Sequence, residues 1–175
     1  MKSLSSYIQE KLVIKKSNQY KYFPETKEEL QDIILRRIKA EGNKVDLNDI
    51  DVSKITDMSN LFQGTEFNGN ISSWDVSNVT DMNRMFSGCE NFNQDISNWD
   101  VSNVTNMNSM FYKCKAFNQD ISSWDVSNVI TLYSMFSGCK KFNKDISNWD
   151  VSNVKHKYFM FDNCPIKDKY KPKFK

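Results

Sequence analysis

The chain has 175 residues, 39% of them hydrophobic, with 5 Gly, 3 Pro and a net charge of +2. That length suits one domain, and so little Gly and Pro excludes long linkers and low-complexity tracts. Charge runs from +4 over residues 1–44, through −6 over 45–165, to +4 over 166–175, the reverse of a nucleic-acid binder with Lys and Arg on its working face.

Leu4, Ile8 and Leu12 are spaced for one helical face, with Ser3 as a cap, and Leu12-Val13-Ile14 reads equally well as a short strand. The opening resembles those of some bacteriophage-encoded proteins. Lys2 is followed by no apolar run of about 7–15 residues and no small-residue cleavage site. No segment approaches the ~20 apolar residues of a membrane span. A cytoplasmic location is expected, or the cell surface if the chain is a trimmed piece, and no membrane partner.

Residues 25–42 read as a helix, about 26–41. Thr26 and Glu29 form a capping box, and Leu30, Ile33, Ile34 and Ile38 form the apolar stripe. Acidic residues sit early, basic residues late, and Gly42 stops it. Residues 1–44 are therefore expected to be an N-terminal capping segment.

Residues 45–165 are a repeat. Phe67, Phe92, Phe117 and Phe142 recur every 25 residues, and so do Trp74, Trp99, Trp124 and Trp149, and Cys89, Cys114, Cys139 and Cys164. A weaker copy, Leu47 to Glu66, has Ile50 in the Trp position and is one residue short. Such a period means a solenoid or array, because one unit cannot bury its own apolar face. Ile96-x-x-Trp99-x-Val101 has leucine-rich-repeat strand spacing, with Trp99 and Val101 inward and Asp100 outward. Met107, Met110, Phe111 and Cys114 lie at i, i+3, i+4 and i+7, one face of a short helix that Ser102 or Asn103 would cap. The expected fold is an α/β solenoid: a leucine-rich-repeat-like array of about five 25-residue coils, each a short parallel strand plus a short helix, behind an N-terminal helical cap.

The repeat Asp-Ile-Ser-x-Trp-Asp-Val-Ser-Asn-Val-x-x-Met-x-x-Met-Phe resembles that of the BspA-like leucine-rich repeat family over about residues 45–165. The resemblance implies an adhesin-like binding module of the bacterial cell surface, with no ligand specified.

The 25-residue spacing puts each cysteine in the same inward slot of its own coil, which favours core thiols over a disulfide or a convergent zinc site. The single His156 has no repeated companion, and no P-loop, dinucleotide-binding or zinc-protease motif occurs. No enzyme activity, no metal and no cofactor are expected. The basic tail 166–175 reads either as solvated chain or as a segment lying over the last coil with Tyr170 and Phe174 inward.

The carboxylates carry the functional argument. Asp51, Asp75, Asp100, Asp125 and Asp150 form an outward column, and Asn70, Asp95, Asp120 and Asp145 a second one. Like charges in register repel. Three things offset that: Asx turns to nearby Ser and Asn, calcium between coils, or a basic partner. Asn68, Asn93, Asn118 and Asn143 read as a hydrogen-bonded ladder at the bend. The most variable positions, Asn83/Asn108/Tyr133/Tyr158, Arg84/Ser109/Ser134/Phe159 and Ser87/Tyr112/Ser137/Asp162, are expected on the outer helix side. The functional expectation is a non-enzymatic protein-protein interaction scaffold that binds a protein partner through the Asp column, as a monomer or weak homo-oligomer. The alternative is a structural or self-assembly protein joined through coil ends or termini.

Overall fold

In the computed structural model, residues 19–174 are described. The helix and strand readings of Leu4 to Ile14 lie outside them. The first long element is α1, Lys27–Glu41. The Thr26 hydroxyl caps it by accepting from the Glu29 N–H at 3.2 Å, while the Glu29 carboxylate accepts from the Glu25 N–H at 2.7 Å. At the other end Gly42 adopts φ 88° and donates to the Ile38 carbonyl at 2.8 Å, a conformation that suits a residue without a Cβ. Leu30 and Ile34 enter the core. Arg37 pins the helix to the first repeat, bonding both Asp49 oxygens at 2.8 and 3.0 Å and the Asp46 carbonyl at 2.9 Å.

The expected α/β solenoid of strand-plus-helix coils does not form. Among the described residues, α1 and a short 3₁₀ turn, Asp168–Tyr170, are the named elements, and no strand is present. Among the described residues extended pairing is confined to isolated parallel bridges: Tyr22 with Ile50, and the series Asp57, Asp81, Asn106, Thr131 and His156 joining one repeat to the next. The leucine-rich-repeat strand is replaced by tight turns. Trp99 donates back to the Ile96 carbonyl at 3.2 Å and Val104 to that of Val101 at 2.9 Å, so the chain bends before a second ladder bond is made.

The expected helix fails for a related reason. Over Met107 to Cys114 the backbone donors alternate. The N–H groups of Met107, Ser109, Phe111 and Lys113 reach carbonyls of the next repeat at 2.8–3.1 Å, whereas those of Met110, Tyr112 and Cys114 close i→i−3 turns. Ser109 and Lys113 sit at φ 55° and 58°, outside right-handed helix space. The i, i+3, i+4, i+7 pattern is thus produced by successive turns. The positions expected on an outer helix face include Ser109 and Ser134, which are buried at this left-handed corner.

What results is a stack of five turn-built layers: residues 47–66, 67–91, 92–116, 117–141 and 142–166. Ile, Trp, Val, Met, Phe and Cys of each full repeat fill one continuous core. Where one layer passes into the next the phenylalanines stack, as Phe111 does on Phe117 at 4.1 Å; from layer to layer Phe86, Phe111 and Phe136 stack at 5.7 Å. Buried polar groups reach one layer back. The Trp99, Trp124 and Trp149 indoles donate to the Ile71, Ile96 and Ile121 carbonyls at 3.1–3.2 Å. The Cys89, Cys114 and Cys139 thiols donate to the Phe62, Phe86 and Phe111 carbonyls at 2.8–2.9 Å. Such bonds remove the penalty of burying a polar atom unpaired.

The tail lies over the last layer. Ile166 is buried, Tyr170 and Phe174 pack against the core, and the Tyr170 carbonyl accepts from the Ile146 N–H at 3.0 Å.

Candidate functional site

Each full repeat contains the run Asp-Val-Ser-Asn, and the first copy Asp51-Val52-Ser53-Lys54; the geometry follows from short polar side chains that compete for the backbone. The Asp carboxylate accepts the N–H of the Ser two residues on. The distance is 3.1 Å at Asp51, 3.2 Å at Asp75, and 3.0 Å at Asp100, Asp125 and Asp150. The Ser77 and Ser102 hydroxyls add bonds of 2.6 Å to the same oxygens. The Asn that follows ties the layers together: Asn103 donates to the Ser77 carbonyl at 2.7 Å and Asn128 to that of Ser102 at 2.8 Å.

The second column has the same construction. Asn70, Asp95, Asp120 and Asp145 accept from Ser72, Ser97, Ser122 and Ser147 at 3.0–3.1 Å. A third column, not anticipated above, coincides with the bridges. Asp57, Asp81 and Asn106 accept from the residue two ahead at 2.7, 2.7 and 3.1 Å. The signal for it was present as a Ser or Asn two places after an Asp or Asn at a fixed point of the repeat. The Asn68–Asn93–Asn118–Asn143 ladder also exists: the first three side chains accept the next layer's N–H at 2.8–3.1 Å, and Asn143 accepts that of Lys167 in the tail at 3.0 Å.

The electrostatics of the two acidic columns have a local cause. The Ser hydroxyl and N–H two residues on hold the carboxyls of Asp100, Asp125 and Asp145 below the usual range. At Asp95 and Asp120 the Ser N–H is the larger influence. Repulsion from Asp125 on Asp100, and from Asp150 on Asp125, works against this. Asp75, Asp100, Asp125 and Asp150 are exposed and Asp51 is half-buried. Among the described residues no lysine or arginine forms a salt bridge with Asp75, Asp95, Asp100, Asp120, Asp125 or Asp145. Beside the first column runs a groove of about 460 Å³ between the Asn103–Asn128–Asn153 and Thr105–Ile130–Lys155 rows.

Among the described residues no group of three or more His, Cys, Asp or Glu is placed to hold a metal ion. Burial pushes the Cys89 thiol up to about 11, and pushes Cys114 and Cys139 up as well. His156 is exposed. Among the described residues no helix is long and apolar enough to cross a membrane.

A family model described as "Mycoplasma protein of unknown function, DUF285" matches residues 33–131 and again residues 98–169. The chain belongs to the DUF285 family. The two matches overlap, as expected when one repeat fits the model in more than one register. No curated protein and no solved structure gives a significant match. In this DUF285 chain the matched residues run from α1 into the final layer and include all five aspartates of the first column.

Proposed function

We propose that the chain is a non-enzymatic protein-interaction scaffold whose contact face is the column Asp51, Asp75, Asp100, Asp125 and Asp150, read by a basic partner. The observation that carries this reading is the row of exposed carboxylates Asp75, Asp100 and Asp125, in register and without a lysine or arginine salt bridge among the described residues. One oxygen of each aspartate holds its own turn, and a carboxylate has a second oxygen with accepting capacity to spare. Repulsion along the column is relieved when a cationic surface docks. The neighbouring groove, with Ile130 40% exposed, adds an apolar contact beside the charge. We also read the repeat as the BspA-like form, whose association with surface attachment supports a binding role.

The test is capture of partners from the native host on the immobilised chain, with elution by rising salt. A specific basic protein that elutes at modest ionic strength supports the reading, because exposed charge contacts are screened over about 10 Å at 0.1 M salt. Capture only of acidic proteins, or of none, overturns it.

A further inference from the structure

The repeats agree closely at their core and turn positions and differ most in three rows, Asn83/Asn108/Tyr133/Tyr158, Arg84/Ser109/Ser134/Phe159 and Ser87/Tyr112/Ser137/Asp162. Members of these rows from the second, third and fourth layers, with Gln63 of the first, line a cavity of about 370 Å³. Ser87 and Ser134 are 7% and 8% exposed, and neither hydroxyl has a hydrogen-bond partner among the described residues. Ser109 differs, since its hydroxyl donates to Asn108 at 2.7 Å. A buried hydroxyl without a partner costs free energy, so the two that line the cavity call for a partner from outside the chain.

Arg84 is the second observation. It sits at φ 54°, where the neighbouring layers carry Asn60, Ser109 and Ser134, and a long side chain gains nothing from a left-handed backbone. It also stands in the place of a serine like Ser109, leaving Asn83 Oδ1 buried and unsatisfied among the described residues. Arg84 is exposed and forms no salt bridge among the described residues. A residue that weakens the fold in two ways and bonds nothing within it, at the wall of a cavity, is explained by a ligand rather than by the scaffold.

We propose that this cavity binds an acidic sugar, a pyranose that carries a carboxylate. The Arg84 guanidinium matches a carboxylate with two parallel bonds. The Ser87, Ser134, Tyr112 and Tyr133 hydroxyls and the Gln63 amide each donate and accept, which suits the hydroxyls of a sugar. Tyr112 and Tyr133 add aromatic rings with a polar tip, and the C–H face of a pyranose packs against such a ring. No carboxylate is among the lining residues, so an anion meets no like charge there. The cavity shares no residue with the aspartate column, whose chemistry selects cations.

The probes are methyl glucuronide and methyl galacturonide. Methyl glucoside is the control for the ring without the carboxylate, and N-acetylglutamate amide the control for the carboxylate without the ring. Each is titrated into the full chain while amide shifts are followed by NMR. At least one uronide should move the Gln63, Arg84, Tyr112 and Ser134 amides with a Kd of about 1–10 mM. Both controls should bind at least about tenfold more weakly, because each leaves part of the polar set unpaired. Arg84→Ser should melt at or above the parental temperature and bind that uronide at least about tenfold more weakly. Four results would each overturn the proposal: no shift with either uronide at about 50 mM, shifts confined to residues outside the cavity, binding of either control as tight as that of the uronide, and unchanged affinity in Arg84→Ser. Equal binding of the glutamate control would assign the cavity to an acidic peptide.

Discussion

The Trp124 indole N–H donates to the Ile96 carbonyl at 3.1 Å, joining adjacent layers through the core. Trp124 is 4% exposed and lies 6.3 Å from Phe111 of the preceding layer, ring centre to ring centre. Trp124→Ala removes both the bond and the packing and should cost about 3–5 kcal/mol. Trp124→Phe keeps much of the apolar volume and loses the bond. Ile96 retains the Trp99 N–H as a donor, so this variant should cost about 1–2 kcal/mol. Urea denaturation of the two variants checks the order; a Trp124→Phe variant as stable as the parent would show that the indole bond contributes nothing.

The thiols should be inert in the folded chain. Cys89, Cys114 and Cys139 are fully buried, donate to carbonyls, and have thiols shifted away from the reactive thiolate. Cys164 is the least buried of the four cysteines and should label first. Thiol counting with and without denaturant checks this. Prompt labelling of any of the three buried thiols would contradict the packing.

One buried side-chain oxygen, Asn83 Oδ1, has no hydrogen-bond partner among the described residues. One layer on, the Ser109 hydroxyl donates to the equivalent Asn108 Oδ1 at 2.7 Å, and the residue in the Ser109 position beside Asn83 is Arg84, at a similar φ of 54°. Arg84→Ser supplies the missing donor without changing the backbone demand. It should stabilise the fold by about 1 kcal/mol, the low end of the penalty for an unsatisfied buried group. Arg84→Ala serves as control and should not stabilise. A melting temperature of Arg84→Ser at or below that of Arg84→Ala would refute the assignment.

These details mark the limit of what the sequence discloses. The 25-residue period exposes the inward residues directly: Ile96, Trp99, Val101, Met107, Met110, Phe111 and Cys114 are all buried. The Thr26 cap and Gly42 stop delimit α1. The path between core residues was misread because two patterns coincide. Alternation around Trp99 and Val101 fits a strand, yet Asp95 and Asp100 each turn the chain onto a Ser two residues later. Helical spacing around Met110 fits a helix, yet alternate amides bond the next layer. Side-chain periodicity reports which residues face inward; it does not report where the backbone amides find acceptors. The acidic column was legible as a column, and its Asx turns were one of three open readings.

Acid should loosen the stack at these turns. The Asp95, Asp100, Asp120, Asp125 and Asp145 carboxyls lie below their usual range in the fold. Their contribution is therefore complete above the unfolded value of about 4 and is lost as pH falls through the lower folded values. Melting temperature should be flat from about pH 7 to 5 as far as these groups go, and should drop below about 4. The drop should be shallower in Ser102→Ala with Ser127→Ala, which weakens the bonds at Asp100 and Asp125. An identical acid slope in parent and variant would show that these turns do not carry the pH dependence.

The most direct test of the acidic face separates recognition from folding. Asn70 and Asn106 hold the same kind of turn as the aspartates, each at 3.1 Å, so Asp100→Asn with Asp125→Asn preserves the acceptor and removes two charges. The measurement is titration of a basic partner captured from the host against the parent and the double variant, each first checked by thermal melting. The account predicts stability within about 0.5 kcal/mol of the parent, affinity at least about tenfold weaker and a shallower salt dependence. Unchanged affinity in a variant that melts with the parent would contradict it and remove the Asp column as the contact face.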